Sequence, residues 1–214
     1  SMTQQEWTES VKNLNVDNFT EDITKTAVTV VTNTLDNFLQ AFSLGFMNPL
    51  LNESTLEHSY LNDFVHPCLK TALYYCAKVY YTSGEIPSPH HIKRQKGDGI
   101  GLTTCANKYQ IVYVEGTRPY KVDPKKILDN QNKIGKNLKS LFLEIMGDRV
   151  RTRRIIMPDM EVFGVSSAEH NLYMYVFGFS GNYYLQEVDS ASVPRDFTEM
   201  EKFIFFYEAI LKWA

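Results

Sequence analysis

Apolar residues recur every three or four positions in four parts of the chain, and this spacing predicts helices. The predicted helices cover about residues 20–46, 54–81, 123–146 and 198–213. Pro67 lies inside the second of them, where a proline removes a backbone donor and clashes with the preceding turn. We therefore expect the second helix to kink at Pro67 or to begin its second half there.

Two of these helices carry a start signal. Asp123 followed by Pro124 is a good N-cap and first-turn pair for the third helix. Thr198 and Glu201 have the spacing of a capping box at the start of the last helix. Both signals place the beginning of a helix within a few residues.

Runs rich in β-branched and aromatic residues predict strands elsewhere. They cover about residues 97–104, 108–115, 161–166, 172–179 and 183–188. The last two are separated by Ser-Gly-Asn, a spacing typical of a hairpin. Tyrosine and phenylalanine alternate through the fourth run, which indicates packing in a core rather than a platform for stacking bases.

The remaining segment with strong turn signals is residues 83–96, which contains Gly84, two prolines and a His-His pair and is predicted as a loop. The order of elements is helix, strands, helix, strands, helix. This order predicts an α/β or α+β fold, a central mixed sheet flanked by helices. We expect one core over residues 53–214, with residues 1–52 as a helical extension packed on it.

Composition narrows the class of protein. With 214 residues, 43% of them hydrophobic, the chain can bury a full core. Its longest apolar-leaning stretch, residues 27–51, is interrupted by polar side chains and does not fit a membrane span. We expect a soluble, intracellular protein with no membrane partner. The three cysteines form neither a disulfide framework nor a paired metal motif, so we interpret them as reduced core thiols.

Charge is distributed unevenly along the chain. The segment from Arg118 to Arg154 holds eleven basic and four acidic residues, a net charge of +7, within a chain whose total is −3. A basic block of this kind fits the binding of a polyanion. Its lysines equally fit a solvated helix face.

Two acidic residues are placed where strands can present them together. Asp98 lies in the first of two successive strands, and Glu115 ends the second, after the apolar run Ile-Val-Tyr-Val. A carboxylate there is costly to bury unless it is paired or bound to a metal. The alternatives are a turn aspartate between two glycines for Asp98 and a solvated strand end for Glu115. Glu57 is either part of the same site or an acid favoured by a helix N-terminus.

These residues resemble the PD-(D/E)xK nuclease-like superfamily. The resemblance covers about residues 54–188 and is carried by Glu57 on a helix, Asp98 on a strand, Glu115 ending the next strand and a lysine-rich helix after it. Short phrases such as Val-His-Pro, Gly-Asp-Gly and Val-Glu-Gly-Thr-Arg-Pro are closest to a fungal-type branch. The resemblance implies a restriction-endonuclease-like core. It also implies Mg²⁺ or Mn²⁺ bound by Asp98 and Glu115, with Glu57 as a further acid beside the metal.

The lysine of the family pattern is displaced. The pattern needs a lysine two positions after the glutamate, because alternate strand residues share a face, and that position here is Thr117. Lys121 is the nearest candidate if the chain turns back at Pro119, and Lys133 or Lys136 from the next helix are the others. The predicted catalytic set is therefore Glu57, Asp98, Glu115 and Lys121.

The sequence predicts a Mg²⁺- or Mn²⁺-dependent nuclease that acts on DNA or RNA. The alternative is a nuclease-like module that has lost catalysis and binds nucleic acid or a protein partner, since Thr117 replaces the lysine. A homodimer is also an open alternative. The predicted phosphate-binding residues are Lys93, Arg94, Lys96, Arg118, Lys125, Lys133 and Lys136.

Overall fold

The structure is a computed structural model and describes residues 6, 9, 21–87, 96–120, 123–155 and 159–214. Its helices are α1 (Asp22–Ser43), α2 (Glu57–Tyr60), α3 (His66–Ala77), α4 (Pro124–Arg151) and α5 (Lys202–Trp213). Its strands are β1 (Val79–Pro87), β2 (Lys96–Thr103), β3 (Gln110–Glu115), β4 (Glu161–Ala168), β5 (Asn171–Ser180) and β6 (Asn182–Ser192). A π-helical segment, Leu61–Val65, joins α2 to α3.

The six strands form one mixed sheet in the order β1-β2-β3-β4-β5-β6. Strands β3 and β4 run parallel, and every other neighbouring pair in the sheet is antiparallel. A parallel pair needs a crossover, which the long helix α4 supplies. The prediction of a central mixed sheet flanked by helices is confirmed, and the fold is α+β.

The sheet separates two hydrophobic clusters. On one face α1, α3 and α5 pack against alternate strand residues such as Val112 and Val114. On the other face α4 covers the intervening residues, among them Tyr113. Helix α1 belongs to the larger cluster, where Phe38 lies 5.1 Å from Phe203, centroid to centroid. The N-terminal helix that the structure describes therefore contributes to the main core.

Pro67 begins the second half of its helix, as predicted. It occupies the first turn of α3, directly after the π-helical segment. Because proline has no N–H, the carbonyl of Asp63 lacks the partner that an α-helix would give it. The side chain of Asn37 on α1 donates to that carbonyl at 2.8 Å. The wider turn is thus stabilised by the neighbouring helix.

One strand was not predicted from the sequence. The expected helix over residues 54–81 ends at Ala77, where Lys78 takes the left-handed conformation with φ 54°, and the chain turns into β1. Most of the predicted loop over 83–96 lies outside the described residues, but its first part belongs to β1 and Lys96 begins β2. Gly84 falls at an irregularity in the pairing with β2. Because β1 is an edge strand, it accommodates the glycine and proline that indicated a loop.

One smaller prediction was wrong, and another was right only in part. Helix α5 starts at Lys202 and its N-terminus has no side-chain cap, whereas Asp196 caps a preceding 3₁₀ turn, Phe197–Glu199, by accepting from the Thr198 N–H at 2.8 Å. Of the three cysteines, Cys68 is buried but Cys76 and Cys105 are exposed.

Among the described helices, none has the length and apolarity needed to cross a bilayer.

Candidate functional site

Asp98 and Glu115 meet on the α4 face of the sheet. Gly99 on β2 pairs with Val114 on β3, so the next position along each strand places Asp98 across from Glu115. Side chains two apart share a face. Glu115 therefore projects on the same side as Tyr113, and Asp98 on the same side as Ile100, both of which pack in the α4 cluster. The predicted pair of acids is brought together by strand register.

Glu115 is almost fully buried, with 4% of its surface exposed. Its Oε1 accepts from the Tyr113 hydroxyl at 2.5 Å and lies 2.6 Å from Nζ of Lys133. Burial raises the pKa of Glu115, while Lys133 and Tyr113 act against that rise and Asp98 adds to it. The ammonium and the hydroxyl make a buried carboxylate tolerable.

Asp98 is partly buried and is held by the backbone of the neighbouring strand. Its Oδ2 accepts from the Gly116 N–H at 2.8 Å. Burial raises the pKa of Asp98, the Gly116 hydrogen bond lowers it, and the charge of Glu57 raises it further. Two carboxylates whose environments both disfavour the charged form are typical of a functional site.

Glu57 reaches the site through close packing of its helix on the end of β3. Leu61 lies four residues after Glu57, and a Cβ built on Gly116 would lie 2.5 Å from a methyl carbon of Leu61. Only a glycine permits this approach. Glu57 forms an ion pair with Lys126 on α4. The three predicted acids therefore surround one strand end, with Glu57 paired to a lysine.

Helix α4 presents a polar row to this strand end. Lys126, Asn130 and Lys133 follow one another at spacings of four and three, which places them on one flank of the helix beside its apolar stripe. Asn130 donates from Nδ2 to the Gly116 carbonyl at 2.8 Å. Sequence reasoning included Lys133 but missed Lys126, Asn130 and Tyr113. The helical spacing of polar residues next to the apolar stripe was the signal available for the first two.

Thr117 occupies the position of the family lysine and is built into the sheet. It is 1% exposed, and both its N–H and its hydroxyl donate to the Ser167 carbonyl, at 2.8 and 3.1 Å. A lysine ammonium placed there would be buried against β4 rather than beside the acids. Among the described residues, the cation beside Glu115 is Lys133, one of the helical candidates.

Each strand carboxylate has one oxygen that accepts no hydrogen bond from the residues that the structure describes. Among the described residues, neither Asp98 Oδ1 nor Glu115 Oε2 has a hydrogen-bond partner. Two hard carboxylate oxygens fit the preference of Mg²⁺, which uses one or two carboxylates and completes its shell with water and substrate phosphates. No group of three or more His, Cys, Asp or Glu side chains suited to a metal occurs in the described part of the chain.

Those of the other predicted residues that the structure describes lie at exposed positions. Lys93, Arg94 and Lys121 lie outside the described residues. Lys96 is exposed and forms an ion pair with Glu85 at 3.1 Å. The remaining three, Arg118, Lys125 and Lys136, are also exposed. At 100° per residue, Lys125 and Lys136 fall on the outer line of α4, about 80° from Lys126 and Lys133.

Comparison of the chain with protein-family models, with curated proteins and with solved structures finds no match in any of the three.

Proposed function

We propose that this protein is a metal-dependent nuclease-like enzyme that hydrolyses phosphodiester bonds of nucleic acid at the Asp98–Glu115 site. One observation carries the proposal. Two carboxylates on adjacent strands each have one oxygen without a partner among the described residues, at a place where Lys133 supplies a cation 2.6 Å from Glu115. The helix, strand, strand and lysine-bearing helix that support the family resemblance are all arranged around this place.

A divalent ion suits the donor set. Asp98 and Glu115 would hold Mg²⁺ or Mn²⁺ through their free oxygens. Bound there, the metal would acidify a water molecule and offset charge on the phosphoryl oxygens. The raised pKa values of both carboxyls reflect buried negative charge that a cation would compensate.

The lysines have separate parts in this proposal. Lys133 balances Glu115 in the free protein and is close enough to the acids to contact a phosphate or a water once substrate binds. Lys126 holds Glu57 beside the site. The exposed lysines Lys125 and Lys136 on the outer line of α4 would contact phosphates further from the reacting bond, which predicts a steep loss of affinity as salt rises.

The alternative function is a nuclease-like module that binds nucleic acid or a protein without cleaving. Two observations favour it. The described residues gather only two free carboxylates rather than a group of three metal ligands, and Lys133 and Lys126 are both engaged in ion pairs. In this case the exposed lysines of α4 would still bind the partner. The acids would only hold Lys133 and Lys126 in position.

The first experiment is thermal unfolding with and without Mn²⁺ or Mg²⁺. A ligand at 100 times its dissociation constant stabilises the folded state by about 2.7 kcal/mol, which is about 5–11 °C for a chain of this size. We expect the wild type to show such a shift and Asp98→Asn to lose it. Asp129→Asn, an exposed acid on α4, is the matched control and keeps the shift.

Cleavage separates the two functions. Labelled single- and double-stranded DNA and RNA are incubated with the wild type, Asp98→Asn, Glu115→Gln and Asp129→Asn in Mn²⁺. The nuclease proposal expects cleavage by the wild type and the control, and a loss of at least about 100-fold in the two site variants. A wild type that binds nucleic acid but cleaves none of the four substrates would establish the binding module. Equal cleavage by all four proteins would overturn the assigned site.

A further inference from the structure

A pocket lies on the opposite face of the sheet from the carboxylates. It has a volume of about 450 Å³ and is bounded by α1, by the helix that carries Pro67, and by β1. Its lining includes Asn33, Asn62, His66, Lys70, Tyr74 and Tyr75. This volume is within the range of small-molecule sites.

The pocket is built by a regular row of side chains. Asn62, His66, Lys70 and Tyr74 follow one another at intervals of four. Four-residue steps drift by about 40° per step around an α-helix. The row begins within the π-helical segment Leu61–Val65, whose wider turn counters that drift. As a result, four residues over three helical turns face one cavity.

His66 is a buried residue that lines this cavity. Its side chain is 95% buried, and its Nδ1 lies 2.7 Å from the Tyr81 hydroxyl. That hydroxyl is itself buried and has no other acceptor among the described residues, so its O–H donates to Nδ1. The proton of the neutral ring is then on Nε2. Within the described part of the chain Nε2 has no partner, although His66 lines the pocket.

Lys70 gives the pocket its charge. Lys70 is exposed and forms no ion pair with any described residue. No Asp or Glu is among the described lining residues, so the lining is cationic. Asn33 and Ser83 add neutral donors beside the ammonium and the imidazole N–H. A ligand with several acceptor oxygens and a negative charge matches this set.

Two partly exposed tyrosines line the pocket on its solvent side. The rings of Tyr74 and Tyr75 lie 5.1 Å apart in an edge-to-face arrangement, and 56% and 38% of their surfaces are exposed. Lys78 lies 5.3 Å from the Tyr74 ring. Exposed aromatic faces next to a cation favour stacking of a flat ring.

We propose that this pocket binds a small aromatic phosphate, the chemical class to which nucleoside monophosphates belong. The phosphate oxygens accept from Lys70 and from Nε2–H of His66, and the ring stacks on Tyr74. The site is independent of the carboxylate site because the two lie on opposite faces of the sheet. The proposal therefore does not depend on nuclease activity.

Calorimetric titration of the full chain with adenosine 5′-monophosphate tests the site. We expect saturable one-site binding, with dissociation constants raised about tenfold or more in Lys70→Gln and in Tyr74→Ala. Both positions are exposed, so neither change should unfold the protein. Lys139→Gln, an exposed lysine on α4, is the matched control and should bind as the wild type does.

Further titrations show which parts of the ligand the pocket recognises and whether the carboxylate site takes part. Adenosine and inorganic phosphate, titrated separately, should each bind at least tenfold more weakly than the nucleotide. Lys133→Gln, which alters the carboxylate site, should leave the affinity unchanged. Absence of saturable binding, equal affinity in Lys70→Gln and the wild type, or a loss in Lys133→Gln equal to that in Lys70→Gln would overturn the proposal.

Discussion

At the residue scale, the candidate site holds buried negative charge that lowers the stability of the folded protein. Asp98 and Glu115 have pKa values raised above their ordinary 3.8 and 4.5, chiefly because burial disfavours the anions. A carboxyl whose pKa is higher in the folded than in the unfolded state stabilises the fold most at low pH, and that stabilisation is lost as pH rises through the folded pKa. At neutral pH both residues therefore cost stability. This cost fits the proposed function, because proteins commonly lose stability where residues are arranged for activity.

Replacing Asp98 by asparagine should raise stability at neutral pH. Asparagine keeps an oxygen to accept the Gly116 N–H but removes the buried charge. A gain of about 1 kcal/mol would raise the melting temperature by about 2–4 °C, measured by calorimetry in the presence of a chelator. Asp129→Asn should change it by no more than about 0.5 kcal/mol. A melting temperature of Asp98→Asn at or below the wild-type value at pH 7 would contradict this account.

Removing the cation beside Glu115 should have the opposite effect. Lys133→Gln leaves the Glu115 carboxylate, which is 4% exposed, without its ammonium partner. We expect the free energy of unfolding to fall by about 1–3 kcal/mol at pH 7. This is less than for a fully buried ion pair, because the lysine is partly exposed. The loss should shrink toward pH 4, where Glu115 becomes protonated. Urea unfolding at both pH values measures it, with Lys136→Gln as the control. An equal loss at both pH values would show that packing, not charge, is responsible.

At the scale of elements, small residues let helices and strands approach closely. Gly116 admits Leu61 of the π-helical segment, which positions Glu57. Gly99 on β2 lies under the Tyr81 hydroxyl of β1, on the face where that hydroxyl bonds to His66. The same strand thus carries Asp98 on one face and, on the other, the glycine that accommodates the Tyr81–His66 pair.

Gly99→Ala should be destabilising and Gly147→Ala should not. A Cβ at Gly99 would overlap the Tyr81 hydroxyl, so the ring must move and its bond to His66 must break, at about 1–3 kcal/mol. In α4, the nearest described atom to a Cβ at Gly147, outside the backbone of the helix itself, is 3.7 Å away, and the change should gain about 0.5–1 kcal/mol of helix stability. Denaturant unfolding compares the two. Equal effects would mean that the close approach at Gly99 is not rigid.

At the scale of the whole molecule, buried histidines oppose the carboxyls in their pH dependence. Burial lowers the pKa of His66 and of His170 to about 4, with a further contribution from His58 for the first and from Arg195 for the second. A group whose pKa is lower in the folded state stabilises the fold above its unfolded pKa of 6.5, and this is lost as pH falls toward 4. The protein should therefore become acid-labile in that window.

Each histidine should cost up to about 2 kcal/mol of stability between pH 7 and pH 5, and the raised pKa values of Asp98 and Glu115 act in the opposite direction as pH falls. Unfolding free energies in urea at pH 7, 6 and 5 measure the slope. His170→Gln should remove about half of the histidine contribution. The ring centroids of His170 and Tyr120 lie 4.8 Å apart. The stability of His170→Gln at pH 7, where protonation of His170 contributes little, therefore measures the loss of this packing. A stability that does not fall from pH 7 to pH 5 would contradict the prediction.

The local pattern of the chain was enough to predict most elements and the two strand acids. Residues such as Ile134, Leu138 and Leu141 repeat at helical spacing, and a long helix is stable only with that stripe buried. The apolar run before Glu115 similarly required a buried strand with a carboxylate at its end. These features depend on neighbours within a few residues, which is why the sequence determines them.

The tertiary structure decided which distant groups meet. Lys133 rather than Thr117 faces Glu115 because Thr117 bonds to Ser167, fifty residues further along, while the rotation of α4 on the sheet aims Lys133 at the strand end. Strand β1 exists because β2 supplies its hydrogen bonds, which no local pattern reports. The sequence by itself determined the two acids and the helices that flank them. Only the packing of α4 and of the Glu57 helix against the end of β3 brought the lysines and the third acid to that pair.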